Sequence, residues 1–468
     1  MTPIPWRAPS LLPSYRHALP ASRTGRLLLA VLLAAGTGRG VPASAQTAAP
    51  DSLAAGMQAA APDSLRPAAP PVRLEFLSPD SVSTPEEQPP IRRRITFGGE
   101  FAWGRGQRTT FRPWMRYNRV QGLALYGEVG RDMEHDGWQP GYHAGFGYGF
   151  AARRGWYGLG FEQPLMAGGD LSIGVDAHRS AIPFFYGDEV IGEGENSAAT
   201  FFLHRDYRDW YEAEGGRLFL AGRPARDLRV SVGMVLEEER SLPQATDWSV
   251  FRQKADFRPN PEIPEGDYRG FELSATLDTR PRGDASRVRS PRTSWGAVEH
   301  WHRVTYERGG GGLGGDFDLW KATADLRSYL RVSPRQTLSA RLLAGMGESR
   351  SLAWAPGGSS GDQLPIERRY AVGGLGTLRG HNYREFRGNR VALANIEYAF
   401  ALADNIRTLV FADAGRAWDD GSLMDLRVPV DMGIGFSAGD EGVSVLAARN
   451  VNRSDADIKV SVRFQHSF

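Results

Sequence analysis

The feature that most constrains the fold of this chain is an alternation of apolar and polar residues, repeated along much of its length. In residues 320–331, one alternate set is Trp320, Ala322, Ala324, Leu326, Ser328 and Leu330, and the other is Lys321, Thr323, Asp325, Arg327, Tyr329 and Arg331. A β-strand places two such sets on opposite faces, whereas a helix would mix them. The pattern therefore predicts a strand with one apolar face.

The same alternation predicts about sixteen strands, many of them about ten residues long, which suits a tilted crossing of a bilayer. The segments are 93–104, 117–130, 139–151, 155–164, 169–178, 216–224, 227–238, 269–280, 292–306, 316–331, 335–347, 390–401, 404–416, 427–438, 442–450 and 457–468, with 108–116 as a further candidate. Their polar faces carry charges of both signs, as a wet lumen requires. We therefore predict an all-β fold, a transmembrane antiparallel β-barrel, with long outward-facing connections at 179–215, 238–268 and 348–389.

The two ends of the chain favour export to the bacterial outer membrane. Arg23 and Arg26 precede an apolar run, and a small-residue cleavage site follows it, so residues 1–45 are predicted to be a signal peptide. Residues 46–91 are rich in Ala, Pro, Ser and Asp and are predicted to be a disordered periplasmic linker before a barrel at 92–468. The last strand carries Phe464 and Phe468, which resemble the C-terminal signal by which outer-membrane barrels are recognised for assembly.

Composition excludes several other classes of function. The chain has no cysteine, which excludes disulfides and thiolate metal sites. Its 56 basic and 54 acidic residues give no support to nucleic-acid binding. No histidine spacing resembles a zinc site, and no nucleotide-binding fingerprint stands before a helix. We expect no metal and no cofactor.

One stretch is a candidate functional element: a glycine-rich loop with an arginine near its tip, followed by two strands that each carry one carboxylate. The tip is Leu378, Arg379, Gly380 and His381, the loop glycines are Gly373, Gly374 and Gly388, and the carboxylates are Glu397 and Asp413. This order suggests a basic tip that folds back onto acidic partners inside a tube.

These residues, together with Ile396-Glu397-Tyr398 and the run Phe411 to Gly415 followed by Trp418, are similar to the hallmark of the BamA/TamA superfamily, also called the bacterial surface antigen family. The resemblance implies a loop folded inward between strands 11 and 12. It also implies that Arg379 pairs with Asp413 and Glu397. His381 stands where the family usually has an aromatic residue, and we expect this to weaken packing of the loop tip more than the ion pair.

Members of this family insert or secrete proteins across the outer membrane, and most recruit clients with periplasmic POTRA domains. Residues 46–90 are too short for such a domain and have the wrong composition, so we expect a barrel-only member without POTRA domains. The resemblance then implies that it assists assembly, insertion or export of outer-membrane or surface components. Its expected partners are the lipid bilayer, client proteins, a separate periplasmic partner, and the barrel assembly machinery through the C-terminal strand.

Two alternatives stay open. A passive or substrate-selective channel would use an arginine-rich lumen that favours anions. An outer-membrane hydrolase would use the serine-containing run 357–361, the pair His135-Asp136, or His204 with Asp206. We expect no enzyme activity, because 357–361 lacks the strand and helix that a nucleophile elbow needs. The segment 206–211 is too polar for a lipid-facing strand and is predicted to form a plug or rim element.

Overall fold

The structure is a computed structural model that describes residues 101–103, 109–131, 138–166, 170–184, 191–251, 256–280, 296–350, 363–403, 406–438 and 444–463. These residues all belong to one of two compact units of the chain, Pro70–Phe468. The other unit, Met1–Ala69, lies outside the described residues. The predicted signal peptide, the whole of the predicted linker, Phe464 and Phe468 therefore lie outside the described residues, and those assignments stay predictions.

The described chain is almost entirely β-structure, arranged in one 17-stranded sheet and one two-stranded sheet. The strands of the large sheet are β1 Phe101–Trp103, β2 Thr109–Asn118, β3 Gly122–Arg131, β4 Gly141–Gly149, β5 Arg154–Pro164, β6 Leu171–Pro183, β7 Trp210–Ala225, β8 Leu228–Ser241, β9 Gly266–Asp278, β10 Val298–Gly309, β11 Leu319–Ser333, β12 Gln336–Ser349, β15 Arg390–Ala403, β16 Ile406–Trp418, β17 Val430–Ala438, β18 Ser444–Asn450 and β19 Lys459–Arg463. The small sheet pairs β13 Tyr370–Val372 with β14 Phe386–Gly388.

The large sheet is an antiparallel meander, in which each strand pairs with the next one along the chain. The pairing runs from β1 to β12, passes from β12 directly to β15, and continues to β19. In the described residues, the sheet contains sixteen strands besides β1, and the connection that holds β13 and β14 follows the eleventh of them. The predicted fold, strand number and loop position are confirmed.

Side chains alternate between a buried polar face and an exposed apolar face, as the sequence pattern requires. On β6, Asp176 and His178 are buried, while Ile173 and Val175 are exposed. On β16, Asp413 is fully buried and Val410 is exposed. The charged face therefore lines the lumen and the apolar face meets lipid, which is the arrangement of an outer-membrane barrel.

The first strands of the barrel differ in part from the prediction, and residues 93–100 of the predicted first strand lie outside the described residues. The described part of the segment 93–104, Phe101–Trp103, is a strand as predicted, and the first long strand in the described residues is β2, the run given above as a further candidate. The predicted second strand, 117–130, contains a turn, because the side-chain oxygen of Asn118 accepts a hydrogen bond from the backbone N–H of Gln121 at 2.8 Å. Gly122 completes this turn with a φ of 66°, which favours glycine.

The long connections lie at one end of the barrel. The connection between β6 and β7 carries the only helix of more than one turn in the described residues, α1, at Glu193–Leu203. No helix in the described part of the chain has the length and apolar character to cross a membrane. The segment 206–211 lies in this connection and at the start of β7, with Asp206 and Asp209 buried, and its role as a plug or rim element stays a prediction.

The sequence also suggested that eight aromatic residues form girdles at the membrane interfaces: Trp103, Trp114, Tyr117, Trp156, Tyr157, Trp210, Tyr211 and Trp301. This was wrong for several of them. Trp156 and Trp210 are each 1% exposed and Trp301 is 5% exposed. Trp114 stacks on Tyr126 with ring centroids 3.8 Å apart. These rings pack against protein, whereas Tyr157 is exposed.

Candidate functional site

The connection between β12 and β15, which we call the inner loop (residues 363–389 of the described chain), turns sharply at its glycines. Gly373 and Gly374 have φ values of 132° and 80°, which L side chains rarely adopt. A Cβ at Gly373 would lie 2.4 Å from the backbone oxygen of Asn382, so the two limbs of the loop approach too closely for any side chain. The hydroxyl of Thr377 accepts a hydrogen bond from the Gly373 N–H at 2.8 Å and stabilises the turn.

The inner loop carries Arg379 onto the carboxylates of β15 and β16. The guanidinium donates to both oxygens of Asp413, from Nε at 2.8 Å and from Nη2 at 2.7 Å, and Nη1 donates to Glu397 at 2.9 Å. The backbone N–H of Arg379 also donates to Asp413 at 3.2 Å. The pairing that the resemblance implied is therefore present. A planar guanidinium suits this fork, and a lysine could not reproduce it.

The ion pair is enclosed by protein. Arg379, Glu397 and Asp413 are 6%, 5% and 0% exposed. The guanidinium carbon of Arg379 lies 3.5 Å from the centroid of the Phe411 ring, which places the cation over an aromatic face. Phe411 precedes Asp413 by two residues on β16, so the alternation of the strand puts the ring and the carboxylate on the same lumenal face.

Two further strand residues hold the tip, although neither belongs to the motif that predicted the ion pair. The amide of Asn395 donates to Asp413 at 2.8 Å and to the backbone oxygen of Thr377 at 2.7 Å. Arg341 donates to the backbone oxygen of Gly376 at 3.3 Å. Arg341 is itself held by both oxygens of Asp325, each at 3.0 Å. The only signal in the sequence was that each residue occupies a polar alternate position on its strand.

His381 joins the tip to β17 and β18. Its Nδ1 lies 3.0 Å from an oxygen of Asp431, and its Nε2 lies 2.8 Å from the side-chain nitrogen of Asn450. Because an amide nitrogen only donates, Nε2 accepts and the Nδ1–H donates to Asp431. The same carboxylate oxygen accepts from the Gly380 N–H at 2.6 Å. The expectation that His381 weakens packing stays a prediction, but its imidazole makes hydrogen bonds that an aromatic hydrocarbon ring could not make.

Gly380 is required for this contact because the tip lies directly against the barrel wall. A Cβ on Gly380 would lie 2.7 Å from the carboxylate carbon of Asp431 and 2.8 Å from the backbone carbon of Arg449. Gly388, at the other end of the inner loop, is similarly confined, because a Cβ there would lie 2.2 Å from the backbone of Trp418. Both glycines serve close approach between backbones.

The base of the inner loop is anchored by a second arginine and by an apolar cluster. Arg368 donates to both oxygens of Glu239, at 2.8 Å and 2.6 Å, and to Glu307 at 2.7 Å. Glu367, beside it on the loop, is buried, and burial raises its pKa to about 8. The apolar cluster consists of Leu343, Tyr370, Val372, Leu378, Val391, Leu393 and Ala417. One of these, Leu378, belongs to the tip.

The residues suggested for a hydrolase have other partners where the structure describes them. His204 stacks on Phe257, with ring centroids 3.8 Å apart, and its Nδ1 lies 2.9 Å from the Ser249 hydroxyl. Asp206 pairs with Arg119 at 3.2 Å. His135, Asp136 and the run 357–361 lie outside the described residues. Within the part of the chain that is described, no three His, Asp or Glu side chains form a group that could hold a metal ion.

The meander of sixteen strands and the arginine tip on its lumenal wall define a transmembrane β-barrel of the bacterial outer membrane, of the BamA/TamA type. In agreement, the Omp85 superfamily domain model matches residues 291–440, which include β10 to β17 and the inner loop. The chain belongs to the family of unknown function DUF5686, whose C-terminal domain model matches residues 94–346, more than half of its length.

The individual proteins that resemble this chain have low sequence identity to it. The outer membrane protein assembly factor BamA of Nitratidesulfovibrio vulgaris is 22% identical over 311 residues, which are 64% of this chain and 33% of that protein. The chain thus spans about a third of the length of this curated relative. The crystal structure of BamA from Haemophilus ducreyi lacking POTRA domains 1-3 is 12% identical, with a TM-score of 0.48 and coverage of 78% of this chain and 73% of that one. CdiB from Escherichia coli is also 12% identical, with a TM-score of 0.40 and coverage of 80% and 67%.

Proposed function

We propose that this protein assists the assembly, insertion or export of outer-membrane or surface components. The observation that carries the proposal is the anchoring of the inner loop, through Arg379, on Asp413 and Glu397 of the lumenal wall. The Omp85 domain match covers this part of the chain, and the 22% identical relative is named as an assembly factor. The site residues act in this proposal by fixing the loop and not by chemistry on a substrate.

The anchored loop supports this function because its tip contacts several strands at once. Within the sheet, these strands are joined only by the hydrogen bonds between neighbouring strands. Arg379 bridges β15 and β16, while Gly380 and His381 reach β17 and β18. Breaking a buried ion pair typically costs about 3–5 kcal/mol. These contacts therefore hold β15 to β18 in position from inside the barrel. This suits a protein whose barrel wall must keep its structure while a client protein lies beside it.

The proposed partners follow from the same reasoning. They are client proteins within the bilayer, a separate periplasmic partner that delivers those clients, and the barrel assembly machinery, which would act on this chain through its C-terminal strand. Crosslinking in cells, followed by isolation of the barrel, would identify them. Recovery of no periplasmic or outer-membrane protein above a control barrel would contradict this part of the proposal.

The decisive experiment is depletion of the protein, followed by quantification of the outer-membrane proteome. We expect specific outer-membrane or surface proteins to fall, and wild-type protein to restore them. Arg379→Ala should restore them poorly. Arg453→Ala is the matched control, because Arg453 pairs with Asp455 on an exposed connection where both side chains are more than half exposed. An unchanged proteome after depletion would contradict the proposed function.

The channel alternative makes a different prediction. An anion-selective lumen needs uncompensated positive charge, but three of its arginines are paired: Arg341 with Asp325, Arg368 with Glu239, and Arg379 with Asp413. We therefore expect low conductance and weak anion preference in planar bilayers. A large anion-selective current from the wild-type protein, with no change in the outer-membrane proteome on depletion, would favour the channel.

A further inference from the structure

A group of apolar side chains lies at the loop end of the barrel, beside the first long strand, and the proposed function does not use it. It consists of Phe201 and Phe202 at the end of α1 and of Trp248, Val250 and Phe251 in the connection between β8 and β9, and we call it the aromatic platform. Four of its members are exposed: Phe202 at 46%, Trp248 at 52%, Val250 at 44% and Phe251 at 65%. Contiguous exposed apolar surface of this kind marks an interaction site.

The end of α1 and the connection between β8 and β9 form one folded unit. The backbone N–H groups of Val250 and Phe251 donate to the backbone oxygens of Phe201 and Phe202, at 2.8 Å and 3.1 Å. The rings of Phe201 and Trp248 meet edge to face, with centroids 5.3 Å apart. Hydrogen bonds and ring contacts therefore hold the exposed side chains in one orientation.

The platform is fixed to β2 on both faces of that strand. Arg116, on the lumenal face, donates to Glu193 of α1 at 2.7 Å. On the outward face, the ring of Tyr117 meets Phe201 at 5.3 Å, and its hydroxyl donates to the backbone oxygen of Trp248 at 2.7 Å. The backbone N–H of Tyr117 donates to the Ser197 hydroxyl at 3.1 Å. Helix α1 thus lies across the loop end of β2.

The outward face of β2 leads directly from the lipid-facing wall to the platform. Phe111 and Met115 are 38% and 41% exposed on that face, and Tyr117 follows at the next alternate position. Tyr117 lies about 7 Å further along the strand, because a strand rises about 3.4 Å per residue. It is only 7% exposed because the platform covers it. Leu123 and Leu125, exposed on the adjacent strand β3, extend the same apolar wall.

We propose that the aromatic platform inserts into the lipid of the outer leaflet beside β2, as a membrane contact separate from the barrel wall. Its continuity with the lipid-facing side of β2 identifies lipid as the occupant. Its composition agrees, because tryptophan and phenylalanine are favoured at membrane interfaces and on helices that lie in the interface plane. Through Glu193 and Ser197, the contact links the bilayer to the first long strand of the barrel.

Nitroxide labels on single cysteines test this proposal directly, because the chain has no native cysteine. Phe202→Cys and Phe251→Cys would be labelled in the full chain, reconstituted in phosphatidylcholine vesicles. Leu220→Cys, on the outward face of β7, is the lipid control. Met424→Cys, 94% exposed in the connection between β16 and β17, is the aqueous control.

We expect the two platform labels to show high accessibility to oxygen and low accessibility to a nickel chelate, as at Leu220. Accessibility to the nickel chelate equal to that at Met424 would overturn the proposal. Low accessibility to both reagents would mean that protein covers the platform and would also overturn it. A second measurement needs no label. The fluorescence of Trp248, obtained as the difference between wild type and Trp248→Phe, should be quenched in vesicles of brominated phosphatidylcholine. Absence of quenching would contradict the proposal.

Discussion

The substitution Asp413→Asn tests the anchoring of the inner loop most sharply. Asp413 is fully buried and accepts four hydrogen bonds, three from Arg379 and one from Asn395. Asparagine keeps the size of the side chain but removes its charge, and its amide nitrogen would face a donor. Among the described residues, Glu397 would be the only carboxylate left on the guanidinium, with one hydrogen bond to Arg379 at 2.9 Å.

The expected loss follows from these contacts. Breaking a buried ion pair by removing one partner costs about 3–5 kcal/mol, and a wet lumen reduces this. Because about 1.4 kcal/mol is a factor of ten, a loss of about 3 kcal/mol raises the undocked fraction of the loop roughly 100-fold. Glu397→Gln loses one charged hydrogen bond, which is worth about 1.5–3 kcal/mol, so its effect should be smaller.

Limited trypsin digestion of the purified barrel measures the undocked fraction, because the tip then offers Arg379 and Arg384 as cleavage sites. When reclosing is fast, the cleavage rate follows the population of the open form. We expect the cleavage rate at the tip to be highest for Asp413→Asn, lower for Glu397→Gln and lowest for wild type. Arg453→Ala should match wild type, since exposed pairs contribute about 0–1 kcal/mol. Equal cleavage of Asp413→Asn and wild type, or faster cleavage of Glu397→Gln, would refute the reasoning.

Three further predictions use the same digestion assay. Gly380→Ala should expose the tip, because its methyl group would collide with Asp431, whereas Gly312→Ala, where a Cβ meets nothing within 4 Å, should not; equal behaviour would contradict the close approach. His381→Phe should increase cleavage, at a cost of about 1–3 kcal/mol for the hydrogen-bonding groups left unpaired, and unchanged cleavage would show that packing replaces them. Because burial raises the pKa of Glu367 from 4.5 to about 8, its proton stabilises the docked loop, and this contribution is lost as the pH rises through about 8: with cleavage normalised to trypsin activity on an unfolded substrate, protection should be greater at about pH 6 than at about pH 9. Glu367→Gln should remove that dependence, and a wild-type loop equally protected at both pH values would refute the assignment.

Much of the fold could be predicted from the sequence because the alternation of a strand is a local property. Residues 320–331 separate completely into two faces, and the structure places them in β11. The position of the inner loop after the eleventh long strand came from counting such segments. Prediction failed where a local signal was misread: Asn118 and Gly122 form a turn inside a segment that alternates well enough to be taken for one strand.

The site was predictable only as far as the family resemblance reached. Arg379, Glu397 and Asp413 carried that resemblance, but Asp431 and Asn450 did not, although they hold the same tip. His381 and Asn450 are 69 residues apart, and nothing in the periodicity of either segment indicates that they meet. The girdle assignments failed for a related reason, since Trp156 and Trp210 are covered by parts of the chain distant in sequence.

The sequence by itself determined that the chain forms long strands with charge on one face and apolar side chains on the other. It could do so because side chains of a strand alternate between its two faces with a period of two residues. The tertiary structure decided which charges meet and which apolar groups stay exposed. It brought the inner loop onto β15 to β18 and set α1 across the end of β2. Those outcomes depend on where the strands lie around the barrel, and the order of residues along one strand does not contain that information.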